Sequence, residues 1–170
     1  MKVFVFNYRK VDEEEFFLRF TKEMGFEMDY IEGPPTLENC DLVEGCDFIS
    51  VITTPVTAEM IDRYKELGIK MISTRTIGYD HIDLEHAKEK GIVVTHISYD
   101  PEGVAEFTVL DILMAVRKFK QVYAKTLSGD FRLDGNLAGK LGDMSVGIIG
   151  TGGIGRAVLR DLSGFGCKLY

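Results

Sequence analysis

From Lys2 to Thr95, short apolar runs alternate with longer stretches whose apolar positions recur every three or four residues. The runs Lys2–Phe6, Phe26–Ile31, Asp47–Ile52, Lys70–Ser73 and Ile92–Thr95 read as strands. Between them lie helical patterns with start and stop signals. Asp12 is expected to cap the first helix, with Glu15 as a capping-box variant and Val11 and Phe16 as its hydrophobic staple. Phe16, Phe20 and Met24 repeat every four residues, which predicts a stripe facing a core. The run Glu13-Glu14-Glu15 suits the positive end of that helix and reads as a solvated face. Gly33-Pro34-Pro35 stops the second strand. Thr57 should cap a helix carrying Met60, Ile61, Tyr64 and Leu67, closed by Gly68. Asp83 should cap a short helix that ends at Gly91. Alternation of this kind implies an α/β protein with a parallel sheet and helices on both faces.

Near Ser98 the pattern changes, so the boundary is expected there, giving domains 1–98 and 99–170. Asp100 caps and Pro101 opens a long helix, expected to run to about Leu127. Val104, Ala105, Val109, Leu110, Ile112, Leu113, Met114 and Val116 cover most of its circumference, as in a helix buried on several sides. Its lone acid, Asp111, is expected to be buried and hydrogen-bonded or at a subunit contact. Ser128 to Asp143, with four glycines, reads as a surface or inter-domain connection.

The apolar run Val146–Ile149 then leads into Gly150-x-Gly152-x-x-Gly155 and a helix. Strand, glycine turn and helix in that order suit a dinucleotide. Gly150 permits the tight turn, Gly152 lets backbone approach a pyrophosphate, and Gly155 lets helix and strand pack closely. The amides and dipole of the helix N-terminus would meet the phosphates.

Two further loops leave the carboxyl ends of predicted strands, where open α/β sheets place ligands. Thr76-Ile77-Gly78-Tyr79-Asp80-His81 could present amides to a carboxylate through Gly78, or be a plain turn that needs glycine for positive φ. Tyr99 could offer its hydroxyl to a substrate oxygen, or be a half-buried aromatic with a wet hydroxyl. His81 has no carboxylate partner in the pattern, and His96 ends a strand. His86, beside charged residues, reads as solvated, and a general base needs a partner.

Composition narrows the field. A net charge of −7 without a basic block argues against nucleic acid. Cys40, Cys46 and Cys167 lack metal-ligand spacing and read as buried or half-buried thiols in a reducing cytoplasm. The longest unbroken apolar run, Ile112–Val116, is far too short for a membrane span. No metal site and no membrane partner are expected.

Four segments together resemble the D-isomer-specific 2-hydroxyacid dehydrogenases. They are Ile72–Asp83, Tyr99–Glu106, Ile112–Arg117 and Val146–Gly155 with Gly164–Lys168 after it. Their wording is that of the D-lactate dehydrogenases, including the vancomycin-resistance branch. The resemblance spans nearly the whole chain in order and spacing. Two departures are Asp100 where serine is frequent, an equally good cap, and Phe107 where histidine is frequent. The resemblance implies a flavodoxin-like substrate domain, discontinuous and completed by a C-terminal segment, followed by the start of a Rossmann domain. It implies NAD as cofactor, a 2-keto acid substrate such as pyruvate, an (R)-2-hydroxy acid product and a homodimer. By the same resemblance, backbone at Ile77 and Gly78 holds the substrate carboxylate and Tyr99 lines its pocket. Val104 packs on the nicotinamide, and Gly153 and Ile154, within the Gly150–Gly155 turn, contact the pyrophosphate. The family's catalytic arginine, glutamate and histidine, and the acid that grips the ribose, are expected beyond Tyr170, so this segment by itself is expected to be inactive. The alternatives are a corepressor-like NAD-sensing protein and a dehydrogenase for a larger acid such as 2-hydroxyisocaproate.

Overall fold

The computed structural model describes residues 1–170. Contacts group the chain into two compact units, Met1–Tyr99 and Asp100–Tyr170, each with its own core.

The first unit is an α/β layer structure. Its strands are β1 (Lys2–Val5), β2 (Glu27–Tyr30), β3 (Phe48–Val51), β4 (Met71–Thr74) and β5 (Val93–His96). They form one sheet in the order β2-β1-β3-β4-β5, every pair parallel, which is the flavodoxin-like order. The chain leaves β1 toward one edge and returns at β3 toward the other, so the strand order reverses between β1 and β3. Alternation along the strands builds the core. Phe4, Phe6, Ile49, Val51 and Ile72 point to one side, where they bury against Met60, Ile61 and Tyr64 of α2 (Ala58–Glu66). The Thr57 hydroxyl caps that helix by accepting the Met60 amide, and Gly68 follows it with φ 88°. Asp83 caps α3 (Leu84–Glu89) through the His86 amide at 3.0 Å. A 3₁₀ turn at Leu37–Val43, not expected from the pattern, adds buried Cys40 and Val43.

The first helix corrects the sequence reading. α1 runs Lys10–Met24, starting two residues before the expected cap, and its cap residue is Arg9. Asp12 therefore lies within the first turn and caps nothing, and Glu13 instead reaches back to accept the Arg9 amide at 3.0 Å. Val11 is fully exposed, so no hydrophobic staple forms. Phe16, Phe20 and Met24 are exposed too. The less exposed stripe is Glu13, Phe17 and Thr21, also spaced by four but about 100° around the helix. Phe17 packs its ring on Tyr8 at 5.6 Å. Glu13, expected in solvent, is buried. Spacing alone could not choose between two adjacent stripes, because both contain phenylalanine.

In the second unit, α4 (Glu102–Val116) and α5 (Phe119–Leu127) replace the single long helix that was expected. The break is Lys118, whose backbone is left-handed (φ 51°) with neither glycine nor proline to announce it. The segment that follows α5 compensates. The Gly139 amide donates to the Val116 carbonyl at 3.2 Å, and Lys118 Nζ donates to the Gly135 carbonyl at 3.2 Å. Residues 128–138 thus belong to this unit and do not cross between units. Of the apolar α4 positions only Ala105 is fully buried; Leu110 and Phe107 are exposed, and so is Asp111. α4 packs on α6 (Gly153–Ser163) around Ala105, Leu141, Ala157, Val158 and Leu162. β6 is only Ser145–Val146, paired in parallel with β7 (Lys168–Leu169), and Ile149 is fully exposed. The Ile148 amide still bonds the Tyr170 carbonyl at 2.8 Å.

Candidate functional site

At the carboxyl end of β4 the chain turns through Thr76, Ile77, Gly78 and Tyr79 before α3. A cavity of about 490 Å³ opens there, lined by Thr53, Arg75, Thr76, Gly78, His81 and Tyr99 among others. The turn is held from below by threonines. Thr74 Oγ1 donates to the Ile52 carbonyl at 2.9 Å and lies 2.6 Å from Thr76 Oγ1. Thr76 Oγ1 in turn lies 2.6 Å from the Gly78 carbonyl oxygen. Because the peptide unit is planar, a pinned Gly78 carbonyl aims the Tyr79 N–H to the opposite side. The amides of Ile77, Gly78 and Tyr79 donate to no protein acceptor. Successive unpaired amides in a turn make an anion-binding concavity.

Of the two readings of Gly78 left open by the sequence, the structure removes one. Gly78 is not in the left-handed region. A Cβ there would meet only the Asp80 carboxylate oxygen, at 3.4 Å. The fold therefore does not require glycine for its backbone angles, and the space above Gly78 is free for a ligand. Tyr99 lines the same cavity, half exposed, with its hydroxyl bonded to no protein group.

Of the three histidines only His81 lines the cavity. His81 Nε2 sits 3.2 Å from Thr74 Oγ1 and has no carboxylate partner. His86 is not solvated: its Nε2 lies 2.9 Å from Asp62 Oδ1. That contact and the Lys90 ammonium, which has the larger effect, hold the Asp62 carboxyl below its ordinary range. The His96 ring lies against Tyr79, centroids 5.1 Å apart.

One largely buried group in the cavity wall escaped the sequence reading. Arg75 Nε donates to Glu13 Oε1 at 3.0 Å, Nη1 to Ser50 Oγ at 2.9 Å, and Nη2 to the carbonyls of Phe6 and Asn7 at 3.0 and 3.1 Å. Burial pulls the guanidinium below its ordinary pKa, and the Glu13 charge opposes that. The partners lie 62 residues apart in sequence, and only the sheet brings them together.

The second unit carries the glycine turn. Gly150 has φ 96°, a conformation open to few other residues. A Cβ on Gly155 would overlap the Gly150 carbonyl oxygen, so α6 can approach the turn only if residue 155 has no side chain. Gly152 differs: its φ is −70° and a Cβ there would meet no atom within 4 Å. Gly153, Ile154 and Gly155 form the first turn of α6, where amides have no intrahelical acceptor. Open space over Gly152 beside three free amides at a helix N-terminus fits a pyrophosphate. Val104, half-buried in the first turn of α4, accepts the Thr108 hydroxyl at its carbonyl at 2.8 Å.

A flavodoxin-ordered sheet with an amide-rich loop at its carboxyl edge in one unit, and a glycine turn before a helix in the other, define an α/β protein of two compact units. Residues 3–162 match the family of D-isomer specific 2-hydroxyacid dehydrogenases, catalytic domain, and the chain belongs to that family. A D-specific alpha-keto acid dehydrogenase of Enterococcus faecium is 46% identical over 114 residues, 67% of this chain and 35% of that protein. The apo-structure of D-lactate dehydrogenase from Escherichia coli superposes with TM-score 0.81 at 29% identity, covering 98% of this chain and 53% of that one. A D-lactate dehydrogenase with NAD+ from Lactobacillus jensenii superposes with TM-score 0.70 at 29% identity, covering 99% and 52%. The chain spans about half the length of the relatives it matches from end to end.

Proposed function

We propose that the protein is an NAD-dependent oxidoreductase that reduces a 2-keto acid to the (R)-2-hydroxy acid, with pyruvate to D-lactate as the physiological pair. The observation that carries this reading is the Thr76–Tyr79 turn: three adjacent amides without acceptors, over a glycine that the backbone angles do not demand. A carboxylate placed there takes the Ile77 and Gly78 amides, and hydrogen bonds to a charged acceptor are stronger than neutral ones. Tyr99 offers its hydroxyl from the cavity wall to a second substrate oxygen. On the other unit, Gly150 and Gly155 shape the turn, and Gly152, Gly153 and Ile154 take the pyrophosphate. Val104 packs on the nicotinamide. NADH, when bound, supplies the hydride; these residues bind and orient. The names of the relatives support the substrate and cofactor assigned.

A homodimer is part of the proposal. Phe119, Tyr123 and Leu127 of α5 and Phe131, Leu133 and Leu137 after it are exposed, an apolar concentration that suits a subunit contact. Free Cys40, Cys46 and Cys167 suit a reducing, cytoplasmic setting. No helix is long and apolar enough to cross a membrane. The test is the full-length gene product with pyruvate and NADH. Consumption of NADH with D-lactate as the product is expected, from a dimer by light scattering. L-lactate, or no turnover across a panel of 2-keto acids, would overturn the assignment.

A further inference from the structure

The Arg75 guanidinium stands where the strand order reverses. Its acceptors are the Phe6 and Asn7 carbonyls just past β1, the Ser50 hydroxyl on β3 and the Glu13 carboxylate on α1. Its own amide donates to the Val51 carbonyl at 2.9 Å. One side chain thus ties the carboxyl ends of β1, β3 and β4 across the point where strand order reverses, the place at which open α/β sheets bind ligands. The pair is shielded: side-chain exposure is 14% for Arg75 and 10% for Glu13. Arg9 Nη2 contacts the same Glu13 oxygen at 3.2 Å, so the carboxylate is itself held. Thr76, the first residue of the amide-bearing turn, follows Arg75 directly in the chain. Asn7, one of the clamped carbonyls, sits in the left-handed region at φ 52°, a conformation asparagine tolerates better than most.

We propose that Arg75, anchored by Glu13, is the positioning residue for the Thr76–Tyr79 turn: it fixes where the Ile77 and Gly78 amides stand and does not itself bind the carboxylate. This rests on the functional reading above. Four of the five guanidinium N–H donors are engaged with protein acceptors, and its charge is matched by Glu13. Lysine at this position keeps the charge but cannot reproduce a planar fork with four acceptors. Removing one partner of such a buried pair leaves the other polar groups without compensation.

The test uses Arg75→Lys and Glu13→Gln in the full-length gene product, with two readouts. Steady-state kinetics should show KM for pyruvate raised about tenfold or more in Arg75→Lys, since bonds from a charged donor are lost. The Kd for NADH should hold within about twofold, because the cofactor turn lies on the other unit, and kcat should change far less than KM. The second readout needs no turnover. Backbone ¹⁵N relaxation should show the Ile77, Gly78 and Tyr79 amides more mobile in Arg75→Lys, while amides in the middle of β3 and β4 stay rigid.

Glu13→Gln separates positioning from direct attraction by sign. A weakened clamp raises KM for pyruvate, whereas an Arg75 that attracts the carboxylate, freed from its counter-charge, would lower it. A lowered KM in Glu13→Gln, or rigid turn amides with unchanged KM in Arg75→Lys, overturns the proposal. A wild type without keto-acid turnover whose turn loosens in Arg75→Lys would instead sink the functional reading and leave the clamp standing. A loss that is equal for pyruvate, NADH and kcat, in step with a lowered Tm, would mark Arg75 as merely structural and refute positioning.

Discussion

Gly152 and Gly155 lie three residues apart in one motif, yet the structure gives them opposite reasons for being glycine, and a pair of alanine substitutions separates the two. At Gly155 the added methyl overlaps the Gly150 carbonyl oxygen, which is backbone and cannot swing away. Either α6 moves off the turn or the turn opens, an overpacking cost of about 1–3 kcal/mol or more. For a chain of this length that is a fall in Tm on the order of 2–4 °C per kcal/mol. At Gly152 the methyl meets nothing within 4 Å, and φ is −70°. Alanine there should leave the fold intact and change stability by no more than about 1 kcal/mol, because the freedom lost by the unfolded chain is offset by alanine's poorer capping at the start of α6. The same methyl occupies the space assigned to the pyrophosphate. Loss of even 1.4 kcal/mol of contact is a tenfold weaker NADH complex. The assay is paired: thermal unfolding without ligand, and NADH titration by nicotinamide fluorescence on the full-length protein. The expected pattern is a double dissociation. Gly155→Ala lowers Tm, whereas Gly152→Ala keeps Tm and loses at least about tenfold in NADH affinity. Unchanged NADH affinity in Gly152→Ala would refute the reasoning, since it would mean that no ligand approaches the open face of the turn.

Three other substitutions or conditions bear on the site and the fold. Gly78→Ala should fold normally, its methyl meeting only Asp80 at 3.4 Å, yet raise KM for pyruvate; an unchanged KM would remove the carboxylate from this turn. Tyr99→Phe should raise KM for the keto acid more than for NADH, by the worth of one hydrogen bond, about 0.5–1.5 kcal/mol; the reverse order of effects would take Tyr99 out of the substrate pocket. Asp41 beside Arg63, Asp47 beside Lys70, and Asp62 beside Lys90 and His86 are all held below the ordinary carboxylate range. A depressed carboxylate stabilises fully above its unfolded value of about 3.9, and that contribution is lost as pH falls through the lower folded value. Tm should therefore be nearly level from about pH 7 to 5 and drop below about pH 4, and a Tm that rises on acidification would contradict these pairings.

Local rules were legible in the sequence because they act within a few residues. Thr57 and Asp83 cap their helices as their position predicts, since a cap needs only its own amide three residues on. Gly150 and Gly155 could be placed because a tight turn and a close helix start are conditions on neighbours along the chain. The alternation of runs and helical stretches gave five parallel strands, each within one or two residues of its expected ends. What the sequence could not contain were choices made by contacts between distant segments. The stripe of α1 that turns inward is set by where Phe17 and Glu13 meet the sheet, so Phe16, Phe20 and Met24 remain exposed despite their regular spacing. The long apolar helix breaks at Lys118 because the segment after α5 returns to bond its end, a partner no local propensity reveals. Glu13, one of three acids in a row, reads as solvated, and becomes a buried anchor only when the sheet brings Arg75 to it across 62 residues. Caps and turns draw their free energy from bonds inside one segment, whereas burial and ion pairing draw theirs from segments that meet only once the sheet has formed.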